Sequence, residues 1–365
     1  MRLQEITNFL DAAAPLSYQE DYDNSGLIIG DKDQNITAAL ISLDCTEEIV
    51  DEAIDLGCNL IISHHPIVFR GLKKFKGNTY VERVVIKAIK NNIAIYAIHT
   101  NLDHISEGVN ARICLKLGLV NCRVLAPKPG ILRKLTTYVP SDHLESVRNA
   151  LFSAGGGHIG NYSDCSFSVK GYGTFKAGDS ANPYVGEPGV LHTEDEVKIE
   201  LVYEAFKEQL LINALLDAHP YEEVAYDIYK IENGHRNVGA GMLGDLEAEQ
   251  NELSFLKLVK EKLGASVIRH TTLTGKKVKR VAVCGGSGSF LLKKAINAGA
   301  DVFISSDFKY HEFFDSEDKI IIADVGHFES EQFTQELLFE IIRKNFPNFA
   351  LRLTQKNTNP INYLI

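Results

Sequence analysis

The feature that most constrains the fold is a set of short, almost continuous apolar runs that alternate with helical patterns. Residues 59–63 form one such run, which ends abruptly at His64, His65 and Pro66. Apolar residues at nearly every position are typical of strands in a parallel sheet, because helices cover both of its faces. Similar runs cover residues 38–44, 93–98, 281–284, 301–305 and 319–324. Strands and helices that alternate at this spacing predict βαβ units with right-handed crossovers, and therefore an α/β body.

The middle of the chain has a different character. Pro127-Lys128-Pro129-Gly130 interrupts the pattern, and residues 125–250 contain 19 acidic but only 10 basic residues. Two successive strand–helix–strand patterns in this segment predict a ferredoxin-like α+β module. We therefore predict that residues 1–126 and 246–365 form the two halves of the α/β body, and that residues 127–245 form an inserted module.

Composition disfavours several classes of protein. The formal net charge of −10 argues against general binding to nucleic acid or to an anionic membrane surface. No apolar run in the sequence approaches the roughly 20 residues that a membrane-spanning helix requires, and the amphipathic N-terminus differs from a signal peptide. The six cysteines show no CxxC spacing, which indicates reduced thiols and a cytoplasmic location.

Potential metal ligands follow three of the predicted strands. In open α/β sheets the binding crevice lies outside the carboxyl ends of the strands, so side chains at these positions can converge. Imidazole and carboxylate groups there suit a transition metal. The candidates are His64 with His65, His99 with Asp103, and His327 with Glu331. Some of them have a structural alternative. One of His64 and His65 could cap the strand while the other lies at the surface, Asp103 could cap the helix predicted over residues 107–117, and Glu331 could complement a helix dipole.

The number of ligands predicts two metal ions rather than one. Neighbouring side chains of a regular strand point to opposite faces, so His64 and His65 are not expected to hold the same ion. His64, His65, Asp103, His327 and Glu331 are too many for a catalytic site with three protein ligands. They fit a pair of divalent ions bridged by Glu331, with zinc as the first expectation and iron or manganese as alternatives.

Other residues near the strand ends carry weaker signals. Gly285-Gly286-Ser287-Gly288 resembles a phosphate-binding loop but matches neither the Walker A nor the GxGxxG pattern, and a tight strand-to-helix turn is the simpler interpretation. His99, Lys309 and His311 are candidates for a catalytic acid or base, although His311 could equally be structural. In the middle segment, His219-Pro220-Tyr221-Glu222-Glu223 is interpreted as a helix-to-strand turn and interface feature.

Several segments together resemble those of a known family. They are Ile62-Ser63-His64-His65-Pro66, His99-Thr100-Asn101-Leu102-Asp103, Gly285-Gly286-Ser287-Gly288, Ser306-Asp307-Phe308-Lys309-Tyr310-His311 and Gly326-His327-Phe328-Glu329-Ser330-Glu331. These look like the signature segments of the dinuclear-metal-centre hexameric proteins, also called GTP cyclohydrolase 1 type 2 homologues or the NIF three-like family. The resemblance covers essentially the whole chain, and the middle segment looks like the PII-like or CutA-like module of longer bacterial members.

The resemblance implies a toroidal homohexamer in which the metal pairs face an inner cavity. It also implies a set of metal ligands, with His99 beside them: His64, His65, Asp103, His327 and Glu331. Two departures from the family pattern are Tyr22 in place of Trp and Ser305-Ser306 in place of Thr-Gly. Neither departure involves a ligand.

These observations predict a metal-dependent hydrolase, and the family name implies a nucleotide or related heterocycle as substrate. Paired ions would polarise the substrate and supply a metal-bound hydroxide as nucleophile, which in a GTP cyclohydrolase would attack C8 of the imidazole ring. The sequence contains no purine-reading motif. One alternative is a non-catalytic regulatory or scaffold hexamer with the inserted module as a sensor. A toroid that binds nucleic acid is a weaker alternative because of the net charge.

Overall fold

Two compact units make up the chain. In the computed structural model, which describes residues 1–364, the first unit comprises Met1–Pro127 and the chain from Asn237 onward, and the second comprises Lys128–Arg236. We call the first unit the body and the second the middle unit. Both units combine helices with strands, so the prediction of a mixed α/β chain is confirmed.

Strands and helices follow one another closely along the described residues. The strands are β1 (Gly26–Ile29), β2 (Ala38–Ser42), β3 (Leu60–Ser63), β4 (Ala94–Ala97), β5 (Val120–Lys128), β6 (Leu132–Pro140), β7 (Phe167–Lys176), β8 (Leu191–Glu204), β9 (Tyr226–Ile231), β10 (His235–Asn251), β11 (Arg269–His270), β12 (Lys277–Ser287), β13 (Val302–Ser306), β14 (Ile321–Asp324) and β15 (Ala350–Leu353). The α-helices are α1 (Leu3–Ala13), α2 (Glu47–Asp55), α3 (Tyr80–Lys90), α4 (Thr100–His104), α5 (Val109–Lys116), α6 (Leu144–Ser153), α7 (Glu208–Ala218), α8 (Glu252–Lys262), α9 (Leu292–Asn297), α10 (His327–Glu331) and α11 (Thr334–Asn345). Short 3₁₀ helices cover Leu16–Tyr18, Ser141–His143, Ala205–Lys207, Ser289–Leu291 and Tyr310–Ser316.

The first sheet of the body has the strand order β1-β4-β3-β2-β15. Strands β4, β3, β2 and β15 are parallel, and β1 is antiparallel to β4. Every residue of β2, β3 and β4 is buried, as expected for strands with helices on both faces. In β3, Leu60 packs in one core with Leu3 of α1, while Ile61 packs in another with Ile49 of α2.

The second sheet of the body has the order β11-β14-β13-β12-β10-β5. Its centre is the parallel set β12, β13 and β14, and β10 and β11 pair antiparallel at either side of this set. Val281 and Val302 of this sheet belong to the same hydrophobic core as Leu60 and Ile62 of the first sheet. The two sheets therefore share one core, which fixes the ends of their parallel strands relative to each other.

The two sheets do not follow the two halves of the sequence. β15, near the C-terminus, pairs with β2 in the first sheet, and β5 lies beside β10 in the second. The sequence did not predict β5, β10 or β15, and residues 235–245 of the segment predicted as the inserted module lie in β10. β5 and β15 are edge strands with several exposed residues, so they lack the continuous apolar run that marks a buried strand.

The predicted helices are present with small differences at their ends. Thr46 caps α2, because its hydroxyl accepts a hydrogen bond from the Ile49 amide at 3.4 Å. The helix predicted over residues 107–117 is α5, and the five-residue helix α4 before it was not predicted. Among residues 1–364, no helix has the length and apolar character needed to cross a membrane.

The middle unit contains an antiparallel sheet with the order β7-β8-β6-β9 and the helices α6 and α7. Sheet and helices enclose a separate core that includes Leu135, Leu151 and Ile199. His219 follows the end of α7, and its Nε2–H donates to the carbonyl of Tyr138 at 2.9 Å. The predicted helix-to-strand turn before β9 is therefore confirmed.

Glu252 fixes the start of α8 to the loop before β12. Its side chain is buried and accepts hydrogen bonds from the Thr274 hydroxyl at 2.6 Å and from the amides of Thr274, Gly275 and Lys276 at 3.0, 3.1 and 3.3 Å. Burial by itself would raise the pKa of this carboxyl group, but the hydrogen bonds outweigh burial, and the pKa lies below its ordinary value of 4.5.

We predict that Glu252→Gln lowers the free energy of unfolding by about 1–3 kcal/mol at pH 7, because an NH₂ group would replace an accepting oxygen among several donors. Since the folded-state pKa is depressed, the ionised carboxylate stabilises the fold above pH 4.5. That stabilisation is lost as the pH falls through the folded-state pKa. Urea unfolding followed by circular dichroism should show a difference between the two proteins that shrinks below pH 4.5. The exposed Glu261→Gln on the same helix is the control, and an equal loss in both variants would contradict the assignment.

Candidate metal centre

Three segments of the body deliver the predicted ligands. β3 is followed directly by His64 and His65. β4 is followed by α4, which contains Asp103. β14 is followed by α10, which begins at His327 and ends at Glu331. The structure brings all five side chains together, from positions separated by up to 267 residues in the sequence.

The carboxylate of Glu331 lies at the middle of this group. Its Oε2 is 3.0 Å from Nε2 of His65 and 3.0 Å from Nε2 of His327. Its Oε1 faces the other way, 3.8 Å from Nε2 of His64, and that nitrogen is 3.6 Å from Oδ1 of Asp103. One side chain therefore contributes an oxygen to each of two ligand sets, and of these two sets one contains His64 and the other His65, although a third set with His99 contains both histidines.

The four imidazoles around the centre are all oriented in the same way. In each, the Nδ1 atom is engaged by an oxygen acceptor outside the centre, which leaves Nε2 free to face inward with its lone pair when the ring is neutral. The Nδ1 donors and their acceptors are His64 to the Ile98 carbonyl at 2.7 Å, His65 to Asp44 at 2.8 Å, His99 to Asp23 at 2.7 Å and His327 to Asp307 at 2.6 Å.

The three acids that orient these rings were not assigned this role from the sequence. Asp44 ends the predicted run at residues 38–44, and Asp307 follows β13, so both lie just beyond strand ends. That position is the same signal that marks the ligands, and it could have indicated supporting acids as well. Asp23 lies in the turn before β1, where nothing in the sequence distinguishes it from an ordinary turn residue.

Two buried polar atoms indicate that the centre suits a cation. Nε2 of His64 and Oδ1 of Asp103 have no hydrogen-bond partner within residues 1–364, although both are inaccessible to solvent. They face each other at 3.6 Å, which is too long for a hydrogen bond. Since buried polar groups are normally satisfied, a cation held between them is a fitting partner. Among residues 1–364, three overlapping ligand sets are present: His64, Asp103 and Glu331; His65, His327 and Glu331; and His64, His65 and His99.

The electrostatics of the centre also favour positive charge. Burial by itself would lower the pKa of His65, but hydrogen bonds to Asp44 and Glu331 raise it to about 9. Burial likewise opposes protonation of His327, yet the negative charge of Glu331 helps to raise its pKa to about 11. Burial and the charge of Glu331 together raise the pKa of Asp103 to about 7. The carboxylates therefore require compensating positive charge, which divalent cations provide when they bind.

The structural alternatives for the two acidic ligands are wrong. Asp103 lies inside α4, and its Oδ1 makes no hydrogen bond within the described residues, so it does not cap the following helix. Glu331 is the last residue of α10, the end at which the helix dipole disfavours a negative charge. Neither carboxylate is therefore explained by local helix stability.

Gly286 makes room for Glu331. It has a positive φ of 63°, and a Cβ atom at this position would lie 2.3 Å from Oε1 of Glu331. The amides of Gly285 and Gly286 donate to the side chains of Asn110 and Ser330 at 3.0 and 2.9 Å. Because protein groups already engage these amides, the turn at residues 285–288 shapes the centre rather than offering those amides to a phosphate.

The three candidates for acid–base chemistry occupy different places. The His99 ring lies 5.3 Å from the rings of both His64 and His65, so it borders the centre. Lys309 and His311 are exposed, and neither belongs to a ligand set among the described residues. His311 contacts the rings of Tyr310 and Phe314 at 5.2 and 6.3 Å, which places it in a surface aromatic group.

Two cavities reach the centre. One has a volume of 430 Å³ and is lined by His65, His99 and His327 together with apolar residues. The other has a volume of 220 Å³ and is lined by His99, Asp103, His327 and Glu331. His99 and His327 line both cavities, so a small molecule in either one would meet the same side chains.

The fold and the site define an α/β protein with a histidine–carboxylate cluster that could hold metal ions. The family model described as Duf34/NIF3 (NGG1p interacting factor 3) matches residues 1–360, and the chain belongs to this family. A Bacillus subtilis protein named GTP cyclohydrolase 1 type 2 homolog is 38% identical over 367 residues, covering 99% of this chain and 98% of its own. A Staphylococcus epidermidis protein of the same name is 33% identical over 368 residues, and the alignment covers 100% of both chains.

Solved structures give the same assignment. The crystal structure of a Bacillus cereus protein related to NIF3 superposes with a TM-score of 0.84 at 38% identity, covering 100% of this chain and 99% of its own. A Staphylococcus aureus protein, SA1388, superposes with a TM-score of 0.80 at 30% identity and the same coverage. The family resemblance seen in the sequence is therefore confirmed.

We predict that Gly286→Ala weakens divalent metal binding by at least about tenfold, because the added methyl group must displace the Glu331 carboxylate. Competition with a chromophoric chelator measures the affinity. Gly57→Ala is a matched control, since Gly57 has a similar φ of 66° but no atom within 4 Å of the added carbon. Metal affinity that falls equally in both variants would mean that backbone strain, and not the contact with Glu331, is responsible.

Proposed function

We propose that this chain is a dinuclear metal-dependent hydrolase that acts on a nucleotide or a related heterocycle. The observation that carries the proposal is the division of the Glu331 carboxylate between two ligand sets, with one oxygen toward His64 and the other toward His65 and His327. A carboxylate placed in this way suits a bridge between two ions. A purely structural ion would need neither the second set nor the adjoining cavities.

In this proposal, His64 and Asp103 would help to hold one ion, His65 and His327 would help to hold the other, and Glu331 would offer one oxygen toward each group. Such ions, when bound, would act as Lewis acids and would lower the pKa of bound water to near neutral. Histidine with carboxylate suits zinc, which we propose first, and also iron or manganese. Asp44 and Asp307 keep the rings of His65 and His327 in the orientation that binding requires.

We assign the proton transfer to His99. Its Nδ1 is held by Asp23 at 2.7 Å, and the ring borders both cavities. Asp23 would stabilise the ring after it takes up a proton, as a buried carboxylate does for a general base. Lys309 and His311 are poorer candidates because their exposed side chains belong to none of the ligand sets.

The substrate class rests on the relatives and on the cavities. The names of the relatives refer to GTP cyclohydrolase, and this chain has a 430 Å³ cavity beside the proposed ligands. A volume of this size accommodates a small heterocyclic molecule. A regulatory or scaffold role is the second candidate, because the middle unit has a core of its own and none of its residues enters a ligand set among residues 1–364.

We also propose the assembly and arrangement implied by the family resemblance. The chain would form a cytoplasmic homohexamer, with a mass in solution six times the 40.5 kDa of one chain by light scattering. The inserted ferredoxin-like module predicted over residues 127–245 would correspond to the middle unit, whose strand order β7-β8-β6-β9 supports such a module.

Metal analysis and a substrate panel test the hydrolase. We expect two divalent ions per chain in the purified protein, and at least one fewer in Glu331→Gln, because a neutral amide is a weak ligand for both sites. The panel contains nucleotides and phosphoesters incubated with metal-loaded protein. Turnover should be abolished in Glu331→Gln and retained in Glu336→Gln, which alters an exposed glutamate of α11. If no compound is turned over, the regulatory role replaces the hydrolase.

A second variant separates proton transfer from metal binding. His99→Gln should retain both ions but reduce the turnover number by about 10²–10⁴, the usual contribution of a general acid or base. Metal content by mass spectrometry and steady-state rates measure the two effects. Loss of an ion from His99→Gln would instead make His99 a ligand, as its place in the third ligand set allows.

A further inference from the structure

A strongly basic loop follows the first two candidate ligands. Residues 70–76 (Arg70-Gly71-Leu72-Lys73-Lys74-Phe75-Lys76), which we call the basic loop, contain four basic residues and no acidic one, in a chain of net charge −10. The loop begins five residues after His65. A local concentration of positive charge in an otherwise acidic protein attracts anions to that place.

Hydrogen bonds hold the chain on either side of the basic loop. Before it, Nδ2 of Asn24 donates to the carbonyl of Val68 at 2.6 Å. At its end, Oε2 of Glu82 accepts from the amides of Lys76 and Asn78 at 2.9 and 3.0 Å. The chain before the loop is therefore tied to the segment that precedes β1, and its end is tied to the first turn of α3.

The cationic side chains between these anchors have no partner of their own. Arg70, Lys73 and Lys74 are exposed, and within residues 1–364 none of them forms an ion pair or a side-chain hydrogen bond. Charges that stabilised the fold would be expected to pair with nearby carboxylates. These three are instead available to a ligand.

The segment just before the basic loop lines the larger cavity at the metal centre. Pro66 and Phe69 form part of the wall of this 430 Å³ cavity, and Phe328 and Ile361 contribute further apolar surface. The Phe69 ring lies 6.3 Å from the ring of His99. Apolar and aromatic walls of this kind favour a flat aromatic base, which stacks on such rings.

Cavity and loop are close enough to serve one molecule. Arg70 directly follows Phe69, and Lys74 is five residues along, so at most about 17 Å of extended backbone separates Lys74 from the cavity wall. We propose that the basic loop binds the phosphate groups of a nucleotide whose base lies in the cavity beside Phe69. The inference rests on the proposed function and narrows its ligand to a nucleoside phosphate, in place of an uncharged heterocycle.

Binding measurements on the metal-loaded full-length protein test this inference. Isothermal titration calorimetry with guanosine, GMP and GTP, and with the adenosine series, should show affinity that increases with the number of phosphates. In the double variant Lys73→Ala/Lys74→Ala, GTP should bind at least about tenfold more weakly while guanosine binding is unchanged. Lys276→Ala/Lys277→Ala is the control, because it removes two adjacent exposed lysines and gives the same net charge.

Other outcomes would overturn the inference. An increase with phosphate number that persists in the Lys73→Ala/Lys74→Ala protein would mean that the metal ions, and not the loop, hold the phosphates. If GTP binding is weakened equally in both double variants, the loss of affinity comes from the change in net charge and not from the basic loop. Tighter binding of single-stranded DNA than of GTP would assign the loop to nucleic acid, and no binding of any of these compounds would exclude a nucleotide. Calorimetry measures binding independently of turnover. If the basic loop binds nucleotides as expected but the substrate panel shows no turnover, the proposed function is rejected and the loop assignment stands.

Discussion

The buried carboxylate of Glu331 is the interaction on which the rest of the centre depends. It is 2% exposed, and a charge buried to this extent is strongly destabilising unless partners surround it. Its partners are His64 and His65, which follow β3, and His327 of its own helix, and Gly286 leaves the space that the carboxylate occupies. The same arrangement that makes Glu331 tolerable in the interior also divides its two oxygens between two ligand sets. The contacts that stabilise the buried Glu331 carboxylate are therefore the same contacts that the proposed metal chemistry uses.

The body holds this centre rigidly because its ligands follow buried strands. β3 and β4 are buried along their whole length, and the two sheets share one hydrophobic core, so the strand ends cannot shift independently. The acceptors at Nδ1 then fix the rotation of each imidazole ring. Asp44 illustrates how far this support extends, since its second oxygen accepts a hydrogen bond from Thr358 at 2.6 Å. A residue near the C-terminus thus helps to orient His65 through Asp44.

The regions around the centre differ in chemical character, and each suits a different part of a ligand. The centre itself is rich in carboxylates and histidines, the adjoining 430 Å³ cavity has apolar walls, and the basic loop supplies unpaired positive charge. A phosphorylated heterocycle has matching parts, namely a reactive ring, an apolar ring surface and anionic phosphates. The middle unit contributes none of these features and has its own core, which leaves it free to serve assembly or regulation in either functional proposal.

The sequence by itself determined the α/β class, the buried parallel strands and the residues that converge, because these follow from local patterns. A continuous apolar run marks a buried strand wherever it occurs, and a histidine after such a run lies at a sheet edge in any α/β fold. Only the tertiary structure decided that β15 joins the first sheet, that Asp23 accepts a hydrogen bond from His99, and that the absence of a side chain at Gly286 leaves room for Glu331. Those facts depend on contacts between segments far apart in the chain, and no local pattern encodes such contacts. The division of the Glu331 carboxylate between two ligand sets depends on the sequence and on the tertiary structure together. The sequence indicated a bridging carboxylate, and the fold placed a separate group of neighbours beside each of its oxygens.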